Sequence, residues 1–123
     1  AKQGNIEAAI AKYQEAQQMD VELKISAWQW NALCWHGSLS EQATQVIEAC
    51  EKAVALKPEN RNIRDSRALA RALTGNLPGA IEDYQFAIAK SNNKKYKTKA
   101  QGWIEALTKG ENPFTKEVLE ELR

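Results

Sequence analysis

The chain is poor in the residues that build metal centres and disulfide scaffolds. Its 123 residues include two cysteines and a single histidine. Two cysteines are too few for a disulfide framework, and one histidine beside them leaves a metal site short of ligands. We therefore expect neither a metal ion nor any other cofactor.

The chain also lacks a strong net charge and long apolar runs. Its 17 lysines and arginines oppose 16 aspartates and glutamates, which leaves a net charge of +1. So small a charge creates no global field that would attract nucleic acid or anionic lipid. No apolar run approaches the ~18 residues that a membrane-spanning helix needs. We expect no nucleic-acid partner and no membrane insertion, and we interpret the basic run at residues 94–99 as the solvated face of a helix.

Apolar residues recur at helical spacing along most of the chain. The breaks fall at turn-forming residues such as Gly37-Ser38, Pro58 and Gly75, since proline disfavours helix in the residue before it. No segment has the alternation of a strand, so we predict an all-α fold. The expected helices cover about residues 6–19, 24–37, 41–56, 61–73, 78–90, 94–109 and 113–123.

A repeat runs through these helices. The segment 4–10 resembles the segment 75–81, and Tyr13 corresponds to Cys50, 37 positions later, and to Tyr84, a further 34 positions on. A period near 34 residues with helical content indicates stacked helical hairpins. Such stacks usually present surfaces to other proteins rather than perform chemistry.

The repeats resemble the tetratricopeptide repeat (TPR), whose pattern is W-x2-L-G-x2-Y, then A-x3-F and a proline. The residues that carry the resemblance are Trp30, Leu33, Cys34, Cys50 and Pro58 in the middle copy and Ala80, Tyr84 and Ala87 in the last. The resemblance implies a TPR-type α-solenoid of antiparallel helical hairpins with a C-terminal capping helix. More loosely, residues 33–39, 63–67 and 110–115 resemble a bacterial, often cyanobacterial, TPR subfamily whose repeats end a larger protein.

We predict one TPR-like domain over residues 1–123, which begins within a repeat and so belongs to a longer protein. Its expected parts are a partial repeat at 1–21, repeats at 24–60 and 61–92, a capping helix at 94–109 and a C-terminal helix at 113–123.

In TPR proteins the first helix of each pair lines a concave groove, and this likeness suggests the partner-binding residues. They are Trp28, Asn31 and Trp35 in one repeat and Asp65 and Leu69 in the next. Aromatic anchors with a polar rim are what a peptide groove needs. The alternative is that the tryptophans pack under a neighbouring helix.

Arginines replace the expected apolar residues in the last repeat. Arg64, Arg67 and Arg71 form one helical stripe, which could clamp a carboxylate or phosphate. The favoured interpretation is a structural ion pair, since a buried charge must be paired. The candidate acids within the chain are Glu48, Asp65, Glu82 and Asp83.

The two cysteines, Cys34 and Cys50, come from two helices of one predicted hairpin and could form a disulfide. Buried free thiols are the favoured interpretation, because free cysteine is among the most buried residue types. Cys34 and His36 cannot act as a catalytic dyad, because residues two apart on a helix point in different directions. We expect no enzyme.

We therefore predict a scaffold for protein–protein interaction that binds a peptide or helix of a partner protein in its concave groove. The alternative is self-association or a structural role within a larger protein. An N-terminal half-repeat would leave an apolar edge at Ile6, Ile10 and Tyr13 for a homo-oligomer, and residues 114–122 could fill a groove in their own or another copy.

Overall fold

The computed structural model describes residue 6, residues 8–12 and residues 26–123, and within these residues the chain is all-helical, with seven helices and no strand. Residues 6 and 8–12 belong to the first helix, α1. The others are α2 (Ala27–Leu39), α3 (Ala43–Leu56), α4 (Arg61–Leu73), α5 (Leu77–Lys90), α6 (Lys94–Thr108) and α7 (Lys116–Leu122). None of the described helices is long and apolar enough to cross a membrane.

Polar caps begin most of these helices. The Ser26 side chain accepts a hydrogen bond from the backbone N–H of Gln29, and the Gln29 side chain accepts one from Ser26 in return. The side chains of Asn60, Asn76 and Asn93 similarly accept bonds from the first turns of α4, α5 and α6. Each cap satisfies a backbone donor that has no partner inside its own helix, which fixes where the helix starts.

Gly37 does not end α2 as we predicted, because the helix continues to Leu39. A Cβ atom at this position would collide with the side chain of Val46 on α3. Gly37 therefore allows two helices to approach closely rather than stopping one of them. The last helix also starts later than predicted, at Lys116, after the cap Thr115.

Helices α2 to α6 pack one after another along the chain. α2 contacts α3 and α4, α4 contacts α3 and α5, and α5 contacts α6. The contact between α2 and α4 joins helices that are not consecutive, as expected when one hairpin stacks on the next. This arrangement is consistent with an α-solenoid, whereas the division of residues 1–123 into TPR units stays a prediction.

The interior divides into two clusters of buried apolar residues. The first lies mainly between α2 and α3 and includes Ile6 of α1, which is only 3% exposed. This burial corrects the prediction that Ile6 forms an exposed edge; Ile10 packs partly against the same cluster, and Tyr13 lies outside the described residues. The second cluster joins α4, α5 and α6 to Phe114 and Leu119 near the C-terminus.

The C-terminal helix returns to the start of the described hairpins. α7 packs against α2, and Arg123 Nη2 donates a hydrogen bond to the carbonyl oxygen of Leu39 at 2.6 Å. Leu119 is 3% exposed. α7 therefore packs within its own chain, at the edge of the pocket described below, and its role as a groove-filling segment stays a prediction.

Candidate partner-binding pocket

A pocket of about 310 Å³ lies where α2, α4, α6 and α7 meet. Such a volume is at the lower end of the range for ligand sites, about 300–1,000 Å³. Its walls are mostly aromatic and aliphatic. The lining residues are Trp35, Asp65, Leu69, Tyr84, Asn93, Lys95, Tyr96, Lys99, Trp103 and Leu122.

Helical spacing brings the lining residues to one side of each helix. Asp65 and Leu69 are four residues apart on α4, and Tyr96, Lys99 and Trp103 follow one another at three and four residues on α6. Residues at these separations lie on the same helix face. Two regular helices therefore form most of the pocket, so that its walls are positioned by backbone rather than by loops.

Three aromatic rings support one wall. The ring centroids of Tyr84 and Trp103 are 5.3 Å apart, those of Trp103 and Phe114 are 5.2 Å apart, and those of Tyr84 and Phe114 are 6.2 Å apart. These separations are typical of favourable aromatic pairs. Tyr84 and Phe114 are both buried, so the wall that includes Trp103 rests on packed core.

A hydrogen bond joins the polar groups of the pocket. Tyr96 Oη donates to Asp65 Oδ1 at 2.7 Å. Burial raises the pKa of Asp65 to about 6, although the Tyr96 hydroxyl and the nearby Arg61 act in the opposite direction. Burial and the Asp65 charge together raise the pKa of Tyr96 well above its usual value. The Tyr96 hydroxyl therefore stays a donor to Asp65 under ordinary conditions.

The pocket brings together three of the five predicted partner-binding residues: Trp35, Asp65 and Leu69. Trp28 and Asn31 do not line it. Trp28 is 52% exposed and its ring centroid lies 6.0 Å from Lys57 Nζ. Asn31 is partly buried, and its Oδ1 accepts no hydrogen bond from the described part of the chain. Trp35 is therefore partly packed and Trp28 is open to solvent, and the contact of either one with a partner stays a prediction.

The arginine stripe is paired within the chain. Asp83 is completely buried, and Arg67 donates to both of its carboxylate oxygens at 2.8 Å. Arg64 Nη1 donates to Asp83 at 3.1 Å, and Arg71 Nη1 does so at 3.2 Å. Glu51, on α3, accepts from Arg67 at 2.8 Å and from Arg71 at 3.4 Å. The structure therefore forms the ion-pair alternative, with Asp83 as predicted and Glu51 as an acid that sequence reasoning missed.

Burial and pairing act in opposite directions on Arg67. Burial alone would lower the pKa of its guanidinium, but hydrogen bonds and charge attraction from Asp83 and Glu51 raise the pKa above its usual value. Arg64 also lies over the ring of Phe86, with its guanidinium carbon 4.3 Å from the ring centroid. Each of the three arginines therefore has an acidic partner within the chain.

The two cysteines form a disulfide, which corrects our preference for free thiols. Cys34 and Cys50 join α2 to α3, with their Cα atoms 4.9 Å apart, and both are only 1% exposed. Spacing along the sequence could not decide between the two states, since both require the same facing positions. In residues 6, 8–12 and 26–123 no group of three or more histidine, cysteine, aspartate or glutamate side chains could hold a metal ion.

Sequence reasoning missed the residues that α6 contributes. We predicted α6 as a capping helix with a solvated basic face, yet Lys95, Tyr96, Lys99 and Trp103 line the pocket. The spacing of Tyr96 and Trp103, seven residues apart on one face, could have indicated this role. Leu122 was assigned to a groove-filling helix but not to a pocket wall.

Comparison with known proteins gives a distant likeness. The chain is 32% identical over 93 residues to DnaJ homolog subfamily C member 3 of Gallus gallus, a match that covers 75% of this chain. It covers only 18% of that protein, so the chain spans less than a fifth of its relative's length. No family model and no solved structure matches the chain. The likeness and the all-helical architecture fit a helical repeat protein, and the bacterial origin stays a prediction.

Proposed function

We propose that this chain is a non-catalytic scaffold module that binds a peptide or helix of a partner protein in the pocket between α2, α4, α6 and α7. The single observation that carries the proposal is the pocket itself, which has aromatic and aliphatic walls and a charged rim. Binding energy at protein interfaces concentrates in such buried aromatic clusters surrounded by polar groups. The distant likeness to a DnaJ homolog is in keeping with a protein-interaction module.

Trp35 and Leu69 would provide most of the apolar contact. Both residues line the pocket; Leu69 is 1% exposed, whereas Trp35 is only partly buried. Trp28 and Asn31 lie on the same helix, and Trp28 is about 10 Å further toward its N-terminus, at 1.5 Å per residue. A partner segment that fills the pocket and continues along α2 would therefore reach Trp28.

The absence of catalysis is part of the proposal. Cys34 is bonded to Cys50 and therefore carries no thiol that could act as a nucleophile. His36 is exposed on α2, and its side chain accepts or donates no hydrogen bond within the described residues that would orient it as a base. General-base catalysis needs an oriented partner within hydrogen-bond reach.

The second candidate is a structural role in which the chain binds itself. It is favoured by α7, whose Leu119 is buried against the second core cluster and whose Leu122 lines the pocket. In this candidate role α7 occupies the edge of the pocket in its own chain. Exchange of α7 between two copies of the chain would form a dimer. Light scattering across a concentration series tests the dimer, which requires the mass to double as concentration rises.

Peptide selection tests the partner-binding proposal directly. Random peptides displayed on phage would be selected on the wild-type chain, and their affinities would be measured by fluorescence anisotropy against Trp35→Ala. We expect the variant to weaken binding about tenfold or more, as truncation of an aromatic anchor does. The matched control is Leu56→Ala, since Leu56 is 56% exposed and lies outside the pocket.

Circular dichroism would establish that each variant keeps its helices. If Trp35→Ala loses them, Trp35→Leu keeps an apolar side chain at the same position and replaces it in the comparison. Selected peptides that bind a folded Trp35 variant as tightly as they bind the wild type would contradict the proposal.

A further inference from the structure

The charges around the pocket are not balanced within the chain. Lys95 and Lys99 line the pocket, and neither forms an ion pair with any residue that the structure describes. They belong to a segment with four lysines and no acidic residue between Lys94 and Ile104. Cations that are left unpaired beside an apolar cavity favour a ligand that supplies carboxylates.

Asp65 does not neutralise this pair of lysines. It is the single acidic residue among those that line the pocket, and its Oδ1 already accepts the hydrogen bond from Tyr96. Its charge is also attracted to Arg61 on its own helix. The rim therefore keeps a net positive charge even when Asp65 is ionised.

One helix of the chain already packs its apolar side at the edge of the pocket. α7 is a short acidic amphipathic helix: Leu119 and Leu122, three residues apart, face inward, and Glu117, Glu120 and Glu121 are exposed. Leu122 reaches the pocket wall, yet a cavity of about 310 Å³ stays open beside it. A second helix of the same character could place one large apolar side chain in that cavity.

From these observations we propose that the partner segment is an acidic amphipathic helix that inserts a large apolar side chain against Trp35 and Leu69 and sets its carboxylates beside Lys95 and Lys99. This inference rests on the proposed function, because it assigns the chemistry of the occupant to the same pocket. The apolar side chain supplies burial, and the lysines select acidic over basic segments. Charge complementarity of this kind contributes more to specificity and association rate than to total affinity.

Designed helical peptides test the inference. One probe carries leucine or tryptophan at three- and four-residue spacing with glutamate at the other positions, and the second probe has lysine in place of every glutamate. Fluorescence anisotropy at low salt measures the binding of both probes to the wild-type chain and to two variants. The variants are Lys99→Glu, at the rim, and Lys109→Glu, an equal charge change at an exposed position outside the pocket.

We expect the acidic probe to bind the wild-type chain more tightly than the basic probe. Lys99→Glu should weaken the acidic probe about fivefold, whereas Lys109→Glu should change its affinity by less than about twofold. Lys99→Glu should also improve binding of the basic probe, because the charge at the rim is then reversed. Added salt should reduce these differences.

Equal affinity of the two probes, or equal effects of the two variants, would overturn the inference. Some peptides from the display experiment could require Trp35 but not Lys99 for binding. That result would support the proposed pocket and contradict only the inference that its partner is acidic. If neither probe binds while phosphatidylserine vesicles bind the wild type and not Lys99→Glu, the lysines belong to a lipid surface and the inference is again wrong.

Discussion

The two sides of α4 differ in how their charges are satisfied. On one side Arg64, Arg67 and Arg71 all bond to the buried Asp83. On the other side Asp65 faces a pocket whose rim lysines have no acidic partner among the described residues. A charged group that is saturated within the chain stabilises the fold, whereas one left unpaired beside an apolar cavity is available to a partner. The comparison separates two parts of the same helix. The ion-pair cluster of Arg64, Arg67, Arg71 and Asp83, called the seam below, is structural, whereas the pocket side is a candidate binding surface.

In the seam a single carboxylate, that of Asp83, accepts hydrogen bonds from three arginines. Each Asp83 oxygen accepts two hydrogen bonds, and Asp83 is inaccessible to solvent. Charges taken out of water are stable only when they are paired and hydrogen-bonded. We therefore expect the largest effects of mutation here, and smaller ones around the pocket.

Asp83→Ala should break the seam and cause the largest loss of stability. Three partly buried guanidinium groups would lose their shared acceptor, and the removal of one partner of a buried pair typically costs about 3–5 kcal/mol. Urea denaturation followed by circular dichroism measures the free energy of unfolding. Glu82→Ala is the matched control, since Glu82 is an exposed acid directly before Asp83 in the sequence. This control should change the free energy of unfolding by less than about 0.5 kcal/mol. Equal effects of the two variants would contradict the structural role of the seam.

Loss of the disulfide should have the next largest effect. The bond joins α2 to α3 directly beside Trp35, with 16 residues of sequence separation. A loop of that size gives a stabilisation of about 2–4 kcal/mol. The Cys34→Ala/Cys50→Ala variant should therefore have a free energy of unfolding about 2–4 kcal/mol lower than that of the oxidised chain, measured by urea denaturation. A mass measured without reductant that shows two free thiols in the purified chain would contradict the disulfide.

Asp65→Asn should change how stability depends on pH. The pKa of Asp65 is about 6 in the folded chain and has a reference value of 3.8, so the folded state binds more protons between these values. The contribution of Asp65 to the unfolding free energy therefore falls as pH rises from about 4 to about 6. Relative to the wild type, Asp65→Asn should gain stability across this range, by up to about 3 kcal/mol at 1.36 kcal/mol per pKa unit.

The hydrogen-bond partner of Asp65 does not complicate this measurement. Tyr96 stays protonated from pH 4 to pH 7, because burial and the Asp65 charge raise its pKa well above the usual value. Asparagine can also still accept the hydrogen bond from Tyr96. A difference in stability between Asp65→Asn and the wild type that is constant from pH 4 to pH 7 would show that Asp65 is not buried beside Tyr96 as described.

Trp28→Ala should have the smallest effect and would define how far the binding surface extends. Trp28 lies on α2 beyond the pocket and is half-exposed, so its loss should weaken a selected peptide only about twofold to fivefold, less than Trp35→Ala does. Isothermal titration calorimetry with one peptide and both variants gives the ratio. A greater loss from Trp28→Ala would place the main contact at the N-terminal end of α2 instead.

The sequence predicted the helices well and the long-range neighbours poorly. α4 begins and ends at its predicted residues, because Asn60 and the turn before Asn76 are unambiguous local features. Asp83 was among the candidate partners of the arginines because buried charges need pairing. Each of these inferences depends on residues that are close in sequence or on a general rule of burial.

The pocket could not be predicted to the same degree. Tyr96 meets Asp65 across 31 residues, and Arg123 meets Leu39 across 84. An amphipathic pattern shows which side of α6 or α7 is buried but not which helix it faces. For this reason Lys95, Lys99 and Leu122 were assigned to a solvated face and to a terminal helix, although they line the same cavity as Trp35.

The most direct test of the difference between seam and pocket follows the chain's own side chains during binding. The four tryptophans, Trp28, Trp30, Trp35 and Trp103, give separate indole N–H signals in a ¹⁵N–¹H correlation spectrum, assigned with single Trp→Phe variants. Titration with a selected peptide should shift Trp35 and Trp103, which line the pocket, and leave the buried Trp30 and the Nε–H signal of Arg67 unchanged. A peptide that binds while Trp35 and Trp103 stay fixed, or that shifts Arg67 instead, would contradict the account.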